Sequence, residues 1–118
     1  MNGTDVKSID TQLNDMAKQG KMLEVLEKFY DENCTFQEGN QPARRGRAAQ
    51  HAHLSGFFKT LKSFDGAELH AHCVGDNATT AEWTFKMTGP EGPIVWNEIL
   101  ARRWRNGKVI SERFYTAP

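Results

Sequence analysis

The 118-residue sequence contains only two cysteines, Cys34 and Cys73. They are too few and too far apart for a disulfide framework or a cysteine-based zinc site. Both fall in segments that alternate like strands, where a free cysteine acts as a small buried apolar residue. A reducing cytoplasm is the expected compartment. Charge of one sign is also missing, since fifteen basic and fifteen acidic residues cancel. No global field therefore draws the chain to nucleic acid or to an anionic membrane. Two interrupted clusters, Arg44, Arg45, Arg47 and Arg102, Arg103, Arg105, read as surface or pocket-rim charges rather than a phosphate-tracking stripe. No apolar run approaches bilayer length, and "MNGTDVKSID" carries no basic-then-apolar leader. A serine nucleophile elbow, a phosphate loop and a dinucleotide fingerprint are all missing.

What is present is one domain's worth of patterned sequence, able to bury roughly two-thirds of its unfolded surface. Residues 1–8 read as a loose leader and residues 9–118 as a single domain. Ile9, Leu13, Met16 and Ala17 form one helical stripe, ended by Gly20. Met22, Leu23, Val25, Leu26, Phe29 and Tyr30 form a second. Asp31, Glu32 and Asn33 break the pattern, and a short strand follows from Cys34 to Glu38. "GNQPARRG" has turn chemistry. A third helix is expected from about Arg47 to Lys62, with Gln50, His53, Leu54, Phe57 and Phe58 on one side.

After Phe64 the period changes to two. Leu69, Ala71 and Cys73 alternate with Glu68, His70 and His72. Ala81, Trp83, Phe85 and Met87 alternate with Thr80, Glu82, Thr84 and Lys86. Trp96, Glu98, Leu100, Arg102 and Trp104 share a parity in a strand from Val95 to Arg105, which spans roughly 36 Å. "GDN", "GPEGP" and "NGK" turn the chain between strands. Helices early and a meander late predict an α+β fold, three helices packed on one face of a curved antiparallel sheet. A strongly curled sheet closed by helices encloses a cone, and its mouth is a natural ligand site.

The order of elements, with "FYDENCTFQEG", "RRGRAAQHAHLSGFF" and "RWRNGKVISERFY", resembles the nuclear-transport-factor-2-like superfamily. The resemblance is nearest to its SnoaL-like and ketosteroid-isomerase-like branch, and it runs from about residue 9 to 116. It implies a cone-shaped, cystatin-like α+β barrel. It also implies that Glu38, at the end of the first short strand, occupies the place of the proton-shuttling carboxylate of ketosteroid isomerases. Two oxyanion donors of those isomerases are missing: Leu13 stands at the tyrosine position, and Leu100 or Ala101 is nearest the aspartate. Steroid-type isomerisation is therefore not expected, because its electrostatic stabilisation is lost.

The residues give a reason of their own for Glu38. A carboxylate at the edge of an apolar cavity is partly desolvated, which makes it a better base at neutral pH. Phe36 shares its side of the strand. Strand parity carries Glu98 and Arg102 inward with Trp96 and Trp104. The last strand is expected to point Ile110, Glu112 and Phe114 the same way. The expected interior gathers Glu38, Gln50, His53, Glu98, Arg102 and Glu112 among Phe57, Trp83, Phe85 and the other rings. In this reading Glu38 is the base, His53 or Glu112 its partner, and Arg102 a stabiliser of developing negative charge. The reaction moves protons on a carbonyl-type substrate, as in an isomerase, cyclase or dehydratase, and needs no cofactor.

Plainer alternatives stay open. Arg102 and Glu112 can be an ion pair on neighbouring strands. Glu98 can lie solvated at the open end, and His53 can be an ordinary helix residue. The domain can also be a non-catalytic ligand-binding or dimeric interaction module, or a structural domain whose pocket has closed. On a helix, His51 and His53 point to nearly opposite sides and cannot chelate one ion. His70 and His72 share a strand face but with no third ligand, so no metal is expected. Their parity places them on the outer face of the sheet, where pairing with a second copy predicts a homodimer.

Overall fold

The computed structural model describes residues 3–116. The chain runs α1 (Gly3–Lys18), α2 (Met22–Phe29), β1 (Tyr30–Glu38), β2 (Arg44–Arg45), α3 (Arg47–Phe58), then β3 (Ser63–Val74), β4 (Ala78–Gly89), β5 (Gly92–Arg105) and β6 (Lys108–Thr116). The first helix starts earlier than its stripe suggests. Residues 3–8, read as a leader, are helical, and Val6 is buried in the core against α2 and β1. One apolar residue per turn is enough to extend a helix when a core lies beneath it. Residues 1 and 2 of that supposed leader lie outside the described residues.

Gly20 ends α1 as expected. Its φ is 78°, and the amides of Gly20 and Lys21 bond back to the carbonyls of Ala17 and Met16. This is a Schellman closure, which needs a left-handed residue. Phe64 also packs where a Cβ at Gly20 would stand, 2.9 Å away. In α2, Val25, Leu26 and Phe29 are buried, each contributing about 2 kcal/mol. Helix α3 differs, because only Gln50 on it is buried. Its apolar side faces a hollow rather than a filled core.

The six strands form one sheet in the order β2-β1-β6-β5-β4-β3. It is antiparallel except where β1 runs parallel to β6. That pairing is possible because α3 and the whole meander lie between the two strands in the chain. The sheet does not close, since β2 and β3 are its edges. Asp31, Glu32 and Asn33, read as a break, lie within β1, where its register against β6 shifts between Tyr30 and Thr35. The "NG" turn holds Asn106 and Gly107 at positive φ, as a tight two-residue hairpin demands.

Two bulges overturn the simple alternation. Leu69 pairs with Trp83 but Ala71 pairs with Glu82, so His70 is an extra residue. Beyond it the faces exchange: His72 turns inward opposite Ala81, and Cys73, expected to be buried, is exposed. In β6, Trp104 pairs with Val109 and Arg103 with Ser111, so Ile110 is the extra residue. Val109 enters the core in place of Ile110. A bulge inserts one residue and re-aims all that follow.

Candidate functional site

Two apolar clusters make the core. One joins α1, α2 and β1 to Trp104 and Val109, and the other lies on β4 and β5 around Trp83, Phe85 and Leu100. Phe114 packs against both. The space between them is not filled. It is a cavity of ≈ 390 Å³, walled by Val25 and Leu26 of α2, Leu54 and Phe57 of α3, and Phe85, Met87 and Leu100 of the sheet. Stacking of Phe57 on Trp96, with centroids 4.9 Å apart, fixes one wall. The volume falls in the range that holds a small organic molecule, so the pocket has not closed.

Polar groups reach this apolar wall from distant parts of the chain: Glu38, Gln50, His53, Glu98, Glu112 and, unforeseen, Tyr30. Phe57, Phe85, Trp96 and Phe114 line it as expected. Phe36, Trp83 and Trp104 do not. Phe36 stacks on Tyr30 and is buried behind it, with centroids 5.5 Å apart. Trp83 stacks on Phe85, and Trp104 donates its indole N–H to Thr79 at 2.9 Å. An inward face is wider than the cavity it borders, so parity alone over-counts the lining.

Glu38 sits at the mouth with 52% of its side chain exposed. Solvent therefore reaches this carboxylate directly. Its Oε1 lies 3.5 Å from His53 Nε2 and 3.6 Å from Arg44 Nη2. Arg44, brought over the mouth by β2, also donates to Gln50 Oε1. These groups form a charged rim. The deeper carboxylate behaves as Glu38 was expected to. Burial first, then the negative charges of Glu112 and Glu38, push Glu98 up to about 7.

Arg102 is inward but lies behind the cavity wall, 1% exposed. Its Nε donates to Glu112 Oε2 at 2.7 Å and to Tyr30 Oη at 3.2 Å. Its Nη1 donates to Asp10 Oδ1 and Asn14 Oδ1. It cannot touch a ligand in the cavity, which corrects its expected role as a direct stabiliser. Burial alone would lower its pKa, but the carboxylates of Glu112 and Asp10 outweigh that and raise it. Tyr30 in turn donates its hydroxyl to Glu112 Oε2. Burial keeps that phenol protonated by raising its pKa well above the ordinary value. Glu112 Oε1 takes no hydrogen bond among the described residues. The plain reading of Arg102 and Glu112 as a buried ion pair thus holds, and Glu112 also faces the cavity.

Sequence reasoning missed Tyr30, Asp10, Asn14 and Thr79. Tyr30 read as the last apolar residue of α2, though it opens β1. Asp10 and Asn14 had a signal: they share a helical stripe with Leu13 and Ala17, and polar residues on a core stripe ask for partners. Among the described residues, no group of three or more histidine, cysteine, aspartate or glutamate side chains could hold a metal ion. No helix among them is long and apolar enough to cross a membrane.

A family model described as a SnoaL-like domain matches residues 11–112. Several solved structures share the fold. A candidate SnoaL-like polyketide cyclase from Mesorhizobium loti is 19% identical with TM-score 0.79, covering 93% of this chain and 97% of that one. A Xanthomonas campestris protein of unknown function, described as having a cystatin-like fold, is 14% identical with TM-score 0.80, covering 100% and 92%. The epoxide hydrolase/cyclase-like enzyme SalBIII, described in pyran ring formation in salinomycin, is 20% identical with TM-score 0.75, covering 94% and 89%. At these identities the likeness is one of fold. No curated protein matches the sequence.

Proposed function

Because this chain belongs to the SnoaL-like domain family, we propose that its cavity binds a small, largely apolar molecule bearing a carbonyl-type oxygen. It moves protons on that molecule without a cofactor, as an isomerase, cyclase or dehydratase does. One observation carries the reading: two carboxylates face the same apolar cavity in unequal surroundings. Glu112 is ion-paired to Arg102 through Oε2, with Oε1 left over. Glu98, pushed up to about 7, keeps its proton in about half of the molecules at neutral pH and in most of them below it. Unequal environments of this kind separate a base from an acid.

Glu112 Oε1 accepts a proton from the substrate, and Glu98 donates one to the oxygen on which negative charge develops. In an isomerisation, Glu112 then returns its proton to the new carbon and Glu98 recovers its own from the enol. Protons balance over the cycle. Glu38, first in line by sequence, joins His53 and Arg44 in selecting what enters. Arg102 acts through Glu112.

A second reading, a non-catalytic binding module, is supported by that charged rim, which can recognise a ligand without any turnover. Exchange in deuterated water separates the two. The panel consists of hydrophobic ketones, lactones and hydroxy-epoxides, the last suggested by the ring-forming neighbour. Catalysed hydrogen–deuterium exchange or product formation that declines as pH rises through about 7, with that decline lost in Glu98→Gln, supports proton transfer. Thermal stabilisation by a ligand with no exchange at any pH assigns the binding module instead.

A further inference from the structure

We propose that His72 is a positioning residue of this site, fixing the Tyr30–Glu112 pair through Asp10 and Arg102. The consequence for turnover rests on the reading above, but the geometry does not. The bulge at His70 is what turns His72 from the outer face toward α1, and bulges serve to re-aim side chains. There its Nε2 donates to Asp10 Oδ2. Asp10 is fully buried, while the His72 side chain is 22% exposed.

Asp10 gathers donors on both oxygens. Oδ1 accepts from Thr79 Oγ1 and from Arg102 Nη1, each at 3.2 Å. Oδ2 accepts from His72 and, at a long 3.4 Å, from Asn14 Nδ2. A single guanidinium is thus shared by two buried carboxylates: Nη1 serves Asp10 and Nε serves Glu112. Its Nη2 is buried with no partner among the described residues. Such an arrangement has two competing solutions, because an under-satisfied buried carboxylate draws on whatever donor is near.

His72 decides the competition. With its N–H on Oδ2, Asp10 needs only one Arg102 nitrogen, and Nε stays committed to Glu112 and Tyr30. Without it, Oδ2 keeps only the long Asn14 contact, and the free Nη2 gives Arg102 a second donor to swing toward Asp10. Glu112 and Tyr30 would then lose the donor that orients them. A simple staple between α1 and β3 would instead affect stability and leave the cavity pair untouched.

The test uses the full ligand-free chain, with glutamate carboxyls and tyrosine rings labelled with carbon-13 for NMR. His72→Leu is expected to shift the Glu112 carboxyl and Tyr30 ring resonances. His72→Gln, whose amide can still donate to Asp10, is expected to restore them. If the leucine variant does not fold, His72→Asn, one methylene too short to reach, takes its place. Unmoved Glu112 and Tyr30 signals, even alongside lost stability, overturn the proposal. So does a glutamine variant as displaced as leucine. Where a substrate is turned over, kcat should fall on the order of tenfold to a hundredfold in His72→Leu with KM unchanged. Absence of turnover in the native protein counts against the proton-transfer reading only, since the resonance shifts need no substrate.

Discussion

Replacing Glu98 with glutamine should make the protein more stable in alkali and leave it unchanged in acid. Burial and the charges of Glu112 and Glu38 raise the Glu98 pKa from 4.5 to about 7. A carboxyl whose folded value lies above its unfolded value contributes stability that is fully present below the unfolded value. That contribution is lost as pH rises through the folded value. Above about pH 8 the folded state therefore carries the whole cost of an ionised Glu98, roughly 3 kcal/mol at 1.36 kcal/mol per pKa unit. Partial solvation of the side chain reduces this to about 2 kcal/mol. Glutamine keeps the shape and removes the charge. Urea denaturation of native protein and Glu98→Gln should thus agree near pH 4 and separate progressively up to pH 8, the variant being the more stable. The other titrating groups are common to both proteins and largely cancel in the difference. A difference that is constant across that range would show that Glu98 is not desolvated and would remove the acid from the proposed mechanism.

Arg102→Met leaves Asp10 and Glu112 buried without their cation. It should cost about 3 to 5 kcal/mol near neutral pH. Urea titrations should show part of this recovered in acid as the carboxylates take up protons, whereas a pH-independent loss would point to packing alone. In the native state a thiol reagent should label Cys73, which is exposed, and spare Cys34, which is buried with its thiol pushed up by burial and by Glu112 and Asp31. Two rapid native equivalents would contradict this. The outer face of the sheet exposes Val95, Ile99 and Tyr115, and pairing of two copies there predicts a homodimer. Sedimentation should find it at micromolar concentration and find it weakened by Ile99→Asp; a monomer throughout would refute it.

Most of the elements were legible because periodicity is a local property. The alternation through Ala81, Trp83, Phe85 and Met87 reads directly as the buried face of β4, and Gly20 and the "NG" turn mark ends with their own backbone chemistry. The two bulges were not legible. An extra residue such as His70 or Ile110 leaves no trace in composition, and only cross-strand register reveals it. Missing the first put His72 outside and Cys73 inside, the reverse of what the fold does. The site was half legible for a similar reason. Parity placed Glu98, Arg102 and Glu112 on the inner face, but it could not separate the cavity from the core around it. Arg102 proved to lie behind the wall and Glu38 at the rim.

The sequence by itself determined where most helices and strands form and which face turns inward in the strands that carry no bulge. Those choices follow from side-chain spacing against backbone repeats of 3.6 and two. Only the tertiary structure decided that Glu98 is the desolvated carboxylate, that Tyr30 and Arg102 both donate to Glu112 Oε2, and that His72 reaches Asp10. Desolvation and hydrogen bonding depend on neighbours brought from 60 or more residues away, and no local pattern encodes who those neighbours are.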